Sequence, residues 1–127
     1  MVQPSRRIAR IVTRYVKAAA ELGIHPEAVY LFGSYARGEA RRYSDIDLAV
    51  VWRGFRRLGY IRSYEVLGRV AGKIMEPVQA IPYTPQQFAN PVPGGFLEAI
   101  QEDCVPVFRA EAPTNSPKRP NGKGKPR

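Results

Sequence analysis

The chain has 127 residues, 44% of them hydrophobic and 24% charged, with one cysteine and a formal net charge of +9. That length predicts one globular domain with one core. A lone cysteine excludes an internal disulfide and fits a reducing, cytoplasmic setting. No apolar run approaches the roughly 20 residues of a membrane span, so membrane function is excluded, and the basic excess points to an anionic partner.

In chain order, Ile8, Ile11, Val12, Tyr15, Val16 and Ala19 recur at helical spacing, which predicts an amphipathic helix rather than a secretory leader. Pro4 and Ser5 suit its start and Gly23 its end, with Arg6, Arg10, Arg14 and Lys17 on the opposite face. "AVYLFG" (28–33) predicts a buried strand, and "SYARGEA" a short helix beginning at Ser34. "DIDLAVVW" (45–52) alternates and then turns wholly apolar, as a central strand does. "RGFRRLG" reads as a basic connection, and Ile61 to Ile74 as a second long helix. "PVQAI" is a strand with prolines at both ends, which places it at a sheet edge. "TPQQFAN" is an N-capped turn of helix with Pro85 in first position, "GGFLEAIQED" another helix, and "VPVF" a last strand. Strands alternating with helices imply an α/β or α+β layered domain over 1–109. The segment 110–127, with five basic residues, one acid and almost no apolar content, is expected to be a disordered basic tail.

The chemistry concentrates in "FGSYARGEARRYSDIDLAVV" (32–51). A strand ending in Gly-Ser and turning into a helix makes an anion site. Gly33 lets a phosphate approach the backbone, the N–H groups at the helix start point at it, and the Ser34 hydroxyl adds a donor. Asp45 and Asp47 follow at i and i+2, which on a strand brings both carboxylates to one face. Divalent cations bridged by such carboxylates hold nucleotide phosphates and activate a hydroxyl nucleophile. A lone Asp-x-Asp pair is more often solvated loop acid, but its combination with strand-terminal Gly-Ser is far more specific. Arg37, just beyond Gly-Ser, is within reach of a phosphate.

"GSYARGEARRYSDIDL" resembles the signature of the DNA polymerase β-like nucleotidyltransferases. The small size and the "ARGEA…SDIDLAVV" wording are similar to the minimal nucleotidyltransferase (MNT) proteins, often the antitoxin half of a HEPN–MNT pair. A looser match runs from Ser5 to Phe108. The resemblance implies a nucleotidyltransferase fold, a small mixed sheet flanked by helices. It also implies Mg²⁺-dependent transfer of AMP from ATP, in the antitoxins onto a tyrosine of a HEPN-domain toxin. Gly33 and Ser34 would then hold the phosphates, aided by Arg37, and Asp45 and Asp47 would be the metal-binding catalytic carboxylates. The family's active members usually add a third carboxylate about six residues before the proline of "TP". In this sequence that position is Gln79, a neutral and poor Mg²⁺ ligand. Glu76 lies three residues earlier and on a regular strand faces the opposite side.

Two alternatives stand beside the transferase reading. One is a catalytically impaired MNT protein that binds nucleotide or toxin, which Gln79 favours. The other is a basic nucleic-acid-binding module. Homo- and hetero-oligomers both fit the sequence. The remaining conspicuous residues have plainer readings. Arg41 and Arg42 read as solvated, Ser44 and Glu39 as local hydrogen-bonding groups, His25 as a surface histidine, Trp52 as packing and Cys104 as an inert thiol. Tyr60 and Tyr64 with Arg56, Arg57 and Arg62 form a basic aromatic cluster, of a kind that stacks bases, with a solvated or partner-facing helix end as the plainer reading.

Overall fold

The computed structural model describes residues 4–111; the expected tail from 112 onward lies outside them. Helix α1 spans Arg6–Glu21. The Ser5 hydroxyl accepts from the Ile8 N–H at 3.2 Å, closing its first turn. At the other end Gly23 adopts φ 85°, and the N–H groups of Gly23 and Ile24 donate to the carbonyls of Ala20 and Ala19. This pairing satisfies the last turn and turns Ile24 back into the core.

Four strands form one sheet in the order β3-β2-β1-β4. They are β1 (Ala28–Phe32), β2 (Ile46–Val51), β3 (Val78–Tyr83) and β4 (Val105–Arg109). Strand β1 pairs antiparallel with β2 and β4, while β2 and β3 run parallel. The sheet is therefore mixed, and β3 is an edge, as the prolines around it predict. A parallel pair needs a crossover. A single turn of helix, α2 (Phe55–Leu58), and the longer α3 (Tyr60–Ile74) supply it.

Alternation along β2 divides the core. Ile46, Leu48 and Val50 face α1 and α3 and join Ile8, Tyr15, Leu31, Leu67 and Val70 in the main cluster. Burial of each such side chain stabilises by about 1.5–3 kcal/mol. Tyr15 brings a hydroxyl into that cluster and donates it to the Leu67 carbonyl at 3.1 Å. On the other face Ala49 and Phe32 meet Leu97 and Ile100 in a smaller cluster, beneath α4 (Pro85–Ala89) and α5 (Phe96–Gln101).

Two expectations change. "SYARGEA" forms only a 3₁₀ turn at Gly33–Tyr35. Gly38 adopts φ 72° and the Glu39 N–H folds back onto the Ser34 carbonyl, so the segment has no room for a second helical turn. The connection "RGFRRLG" does contain a helix, α2, bounded by Gly54 and by Gly59 at φ 83°.

Candidate active site

Register sets the centre of the site. Phe32 at the end of β1 lies opposite Asp47 in β2, so the residue after the strand, Gly33, meets that carboxylate. Gly33 has φ 74°, a conformation that side chains disfavour. A Cβ placed on it would collide with Oδ2 of Asp47. Glycine is thus required twice, once by the turn and once by the carboxylate against it.

Asp45 departs from expectation. Strand β2 begins at Ile46, leaving Asp45 exposed in the preceding turn while Asp47 is half-buried. The shared strand face holds for Asp47 alone; the turn, which Ser44 shapes by accepting from the Arg41 N–H at 2.8 Å, carries Asp45. The two charges still sense each other. Burial, and then the Asp45 charge, push the Asp47 carboxyl above the ordinary carboxylate range, with Arg37 opposing. The chemistry of two neighbouring carboxylates suits a divalent cation, whose charge would relieve this penalty, while the Gly33 turn suits an anion.

Ser34 sits half-buried in the 3₁₀ turn, and its hydroxyl has no hydrogen-bond partner among the described residues. Arg37 is exposed, and its Nε donates to Glu39 Oε1 at 2.9 Å while Nη1 lies 4.0 Å from Asp103. The hydrogen bond to Glu39 is the largest influence raising its pKa. Glu39 thus plays the pairing role expected of it, and Arg37 is poised over the site but partly neutralised.

On the parallel neighbour, Gln79 lies in register with Asp47, where the resemblance would place a third carboxylate. Glu76 does not substitute for it. Arg14 donates to Glu76 Oε2 at 3.1 Å and to the Ile74 carbonyl at 2.7 Å, and Arg7 lies 3.8 Å from Oε1. Among the described residues, no three His, Cys, Asp or Glu side chains gather as a metal cluster.

Sequence reasoning missed Arg7, which also donates to the Tyr35 hydroxyl at 3.4 Å and so ties α1 to the 3₁₀ turn. Its seven-residue spacing from Arg14 was the available signal, since both lie on one helix face. Asp103 gave no local signal. The plainer readings hold for exposed His25, Arg41 and Arg42. They hold too for Trp52, packed edge-on against Phe55 at 5.2 Å, and for Cys104, whose pKa burial raises. One hollow of about 860 Å³ is lined by Leu22, Trp52 and Leu58 among others, at the opposite end of β2 from the carboxylates.

A mixed four-stranded sheet with Gly-Ser at the end of one strand and Asp-x-Asp entering the next is the nucleotidyltransferase fold. The sequence matches the nucleotidyltransferase domain family over residues 12–90, and the chain belongs to that family. Among solved structures it is similar to a protein from Sulfolobus solfataricus assigned as a nucleotidyltransferase, with 23% identity, TM-score 0.59 and coverage of 81% of each chain. It is also similar to a toxin–antitoxin structure with AMP-PNP, at 20% identity and TM-score 0.56, covering 78% of this chain and 73% of that one. A third is a mutant of the toxin–antitoxin MntA–HpeT, at 16% identity and TM-score 0.54, covering 81% and 74%. No curated protein sequence matches.

Proposed function

We propose that the chain is the MNT-type antitoxin of a HEPN–MNT pair, transferring AMP from ATP to a tyrosine of a HEPN-domain toxin in the cytoplasm. One observation carries the reading: the Asp47 carboxylate against the Gly33 backbone, with Asp45 two residues ahead. Two structural neighbours are toxin–antitoxin structures, one of them with AMP-PNP. The MntA–HpeT mutant carries two Asp-to-Glu changes two positions apart, the spacing of Asp45 and Asp47.

Bound Mg²⁺ would neutralise triphosphate charge and polarise the attacked phosphorus. Asp47 and Asp45 are the residues to hold it. Gly33 leaves room for a phosphate at the backbone, Ser34 offers a free hydroxyl, and Arg37 faces the outer phosphates by exchanging its Glu39 partner. In the transfer, the tyrosine oxygen forms a bond to the α-phosphorus as the bond to pyrophosphate breaks, and the phenolic proton passes to solvent water. The acceptor must be held in line, and in this reading the second protein supplies it.

The test is co-expression with the reading frame beside its gene, followed by intact mass spectrometry. A partner heavier by whole AMP units, with the added mass lost in Asp45→Ala, is the expected result. The absence of both a complex and a mass change would overturn the proposal.

A second reading, nucleotide or toxin binding without turnover, is favoured by Gln79 beside Asp47 and by Glu76 held on Arg14. A stable complex with no added mass would select it. Gln79→Asp separates the two as well, because a carboxylate restored beside Asp47 should tighten Mg²⁺ binding and speed transfer.

A further inference from the structure

At the far end of β2 from the carboxylates, the corner between α2 and α3 gathers charge that the chain does not use. Arg53 pairs with Glu27 at 3.3 Å. Arg56, Arg57, Arg62 and Arg69 form no ion pair or side-chain hydrogen bond among the described residues. The only acid between positions 53 and 69 is Glu65. Arg57, Arg62 and Arg69 line the hollow of about 860 Å³, and Arg56 and Tyr60 line its neighbour of about 470 Å³, on the other side of the Gly59 corner. Tyr60 and Tyr64 stand at this corner with ring centroids 4.9 Å apart, and Tyr60 is 76% exposed. Like charges this close repel one another, and an exposed aromatic ring gains nothing from water. Both features are explained by a ligand that brings negative charge at intervals together with flat apolar faces.

We infer that the α2–α3 corner binds single-stranded nucleic acid, its arginines on phosphates and its tyrosines on bases. The arginine fork suits phosphate oxygens, and aromatic faces accept any base, so the surface would follow the backbone with little sequence preference. An acidic protein face is the other occupant this chemistry admits, since arginine and tyrosine are both enriched at protein interfaces, and competition by polyglutamate tests it. The inference is independent of the AMP-transfer reading, since none of these residues lies at the carboxylates.

The experiment uses the full chain and fluorescein-labelled oligouridine and oligothymidine of about twelve nucleotides, followed by anisotropy across a salt series. Binding should weaken steeply with salt. The triple variant Arg56→Gln, Arg57→Gln, Arg62→Gln should lower affinity at least about tenfold and reduce the log–log salt slope by about 2, as three lost phosphate contacts require. Tyr60→Ala with Tyr64→Ala should weaken binding about fivefold or more without changing that slope. Unchanged melting temperatures establish that the variants are folded. A preference for oligouridine would identify RNA as the ligand, and equal affinities a surface that accepts both. Three results would overturn the inference. They are no binding at low salt, variants that bind like the parent because another basic segment carries the affinity, and equally tight competition by polyglutamate, which would make the corner a general acid-binding surface.

Discussion

The fold makes the charged form of Asp47 costly. Its pKa is raised, chiefly by burial. Such a carboxyl contributes stability that is fully present below the unfolded value of about 3.9 and is lost as pH rises through the higher folded value. At neutral pH, therefore, ligand-free Asp47→Asn should melt above the parent, with the difference vanishing in acid. Scanning calorimetry from pH 3 to pH 8 checks the sign (about the range over which carboxylates titrate). The same substitution should abolish stabilisation by Mg²⁺-ATP, which for the parent amounts to about 2.7 kcal/mol at a hundredfold excess over Kd. A variant both less stable and still nucleotide-responsive would contradict the site. Gly33→Ala should cost about 1–2 kcal/mol from its left-handed backbone alone, and more in nucleotide binding, because the new methyl displaces the carboxylate. At this scale much was legible. Gly-Ser and Asp-x-Asp are local patterns, and so is Arg37 beside Glu39. What escaped was Asp45 in a turn rather than on the strand, and the approach of Asp103 to Arg37. Both depend on where the strand starts and on contacts across more than sixty residues.

The connection between α3 and β3 shows how elements rather than residues aim the site. Met75 ends α3 at φ 57° and is almost fully exposed, so a glycine there removes strain without losing a contact. Met75→Gly should stabilise the protein by up to about 1 kcal/mol, measured by urea titration. The next residue, Glu76, is tied to Arg7 and Arg14. Its side chain is partly exposed, so Glu76→Gln should cost about 0.5–1 kcal/mol of stability. Mg²⁺-ATP affinity should barely move, unlike the complete loss in Asp47→Asn. If Glu76→Gln weakened nucleotide binding as strongly, Glu76 would have to be readmitted as a ligand. Periodicity and caps made α1, α3 and α4 readable. Thr84 accepts from the Gln87 N–H and Gln87 reaches back to the Thr84 N–H, the box that "TPQQ" announces. The single turn of α2 and the 3₁₀ turn were not readable, since elements this short have no period and are decided by glycines that can serve either a loop or a helix end.

At the scale of the whole molecule, the two faces of the sheet are unequally clothed. α1 and α3 cover one face with a cluster that includes fully buried Ile46, Leu48 and Val50, whereas α4 and α5 cover the other with a small one around Ala49, Leu97 and Ile100. Asp47 and Gln79 project on the thin side, continuing the alternation of β2 and β3, where Phe32 packs with Ala49, Leu97 and Ile100 and meets the edge of Phe96 at 6.0 Å. Strand order was the part of this that the chain's own periodicity could not supply, because the β2–β3 parallel pairing rests on a crossover of more than twenty residues; the family resemblance implied only that the sheet is mixed. The asymmetry has a consequence for dynamics. Regions with few buried apolar contacts open at low free-energy cost, and ligand-binding surfaces are drawn from them. Leu48→Ala should cost about 2–5 kcal/mol and Ile100→Ala should fall at or below the lower end of that range. Hydrogen exchange should then divide the ligand-free protein, with α4 and α5 exchanging well ahead of α1 and the second half of α3. Adding Mg²⁺-ATP should slow exchange around Gly33, Asp45 and Asp47 and in the helices of the thin face, while α1, already protected by the main cluster, stays as it was. Protection confined instead to the α2–α3 corner would move the nucleotide to the arginine-lined hollows and leave the carboxylates without their ligand.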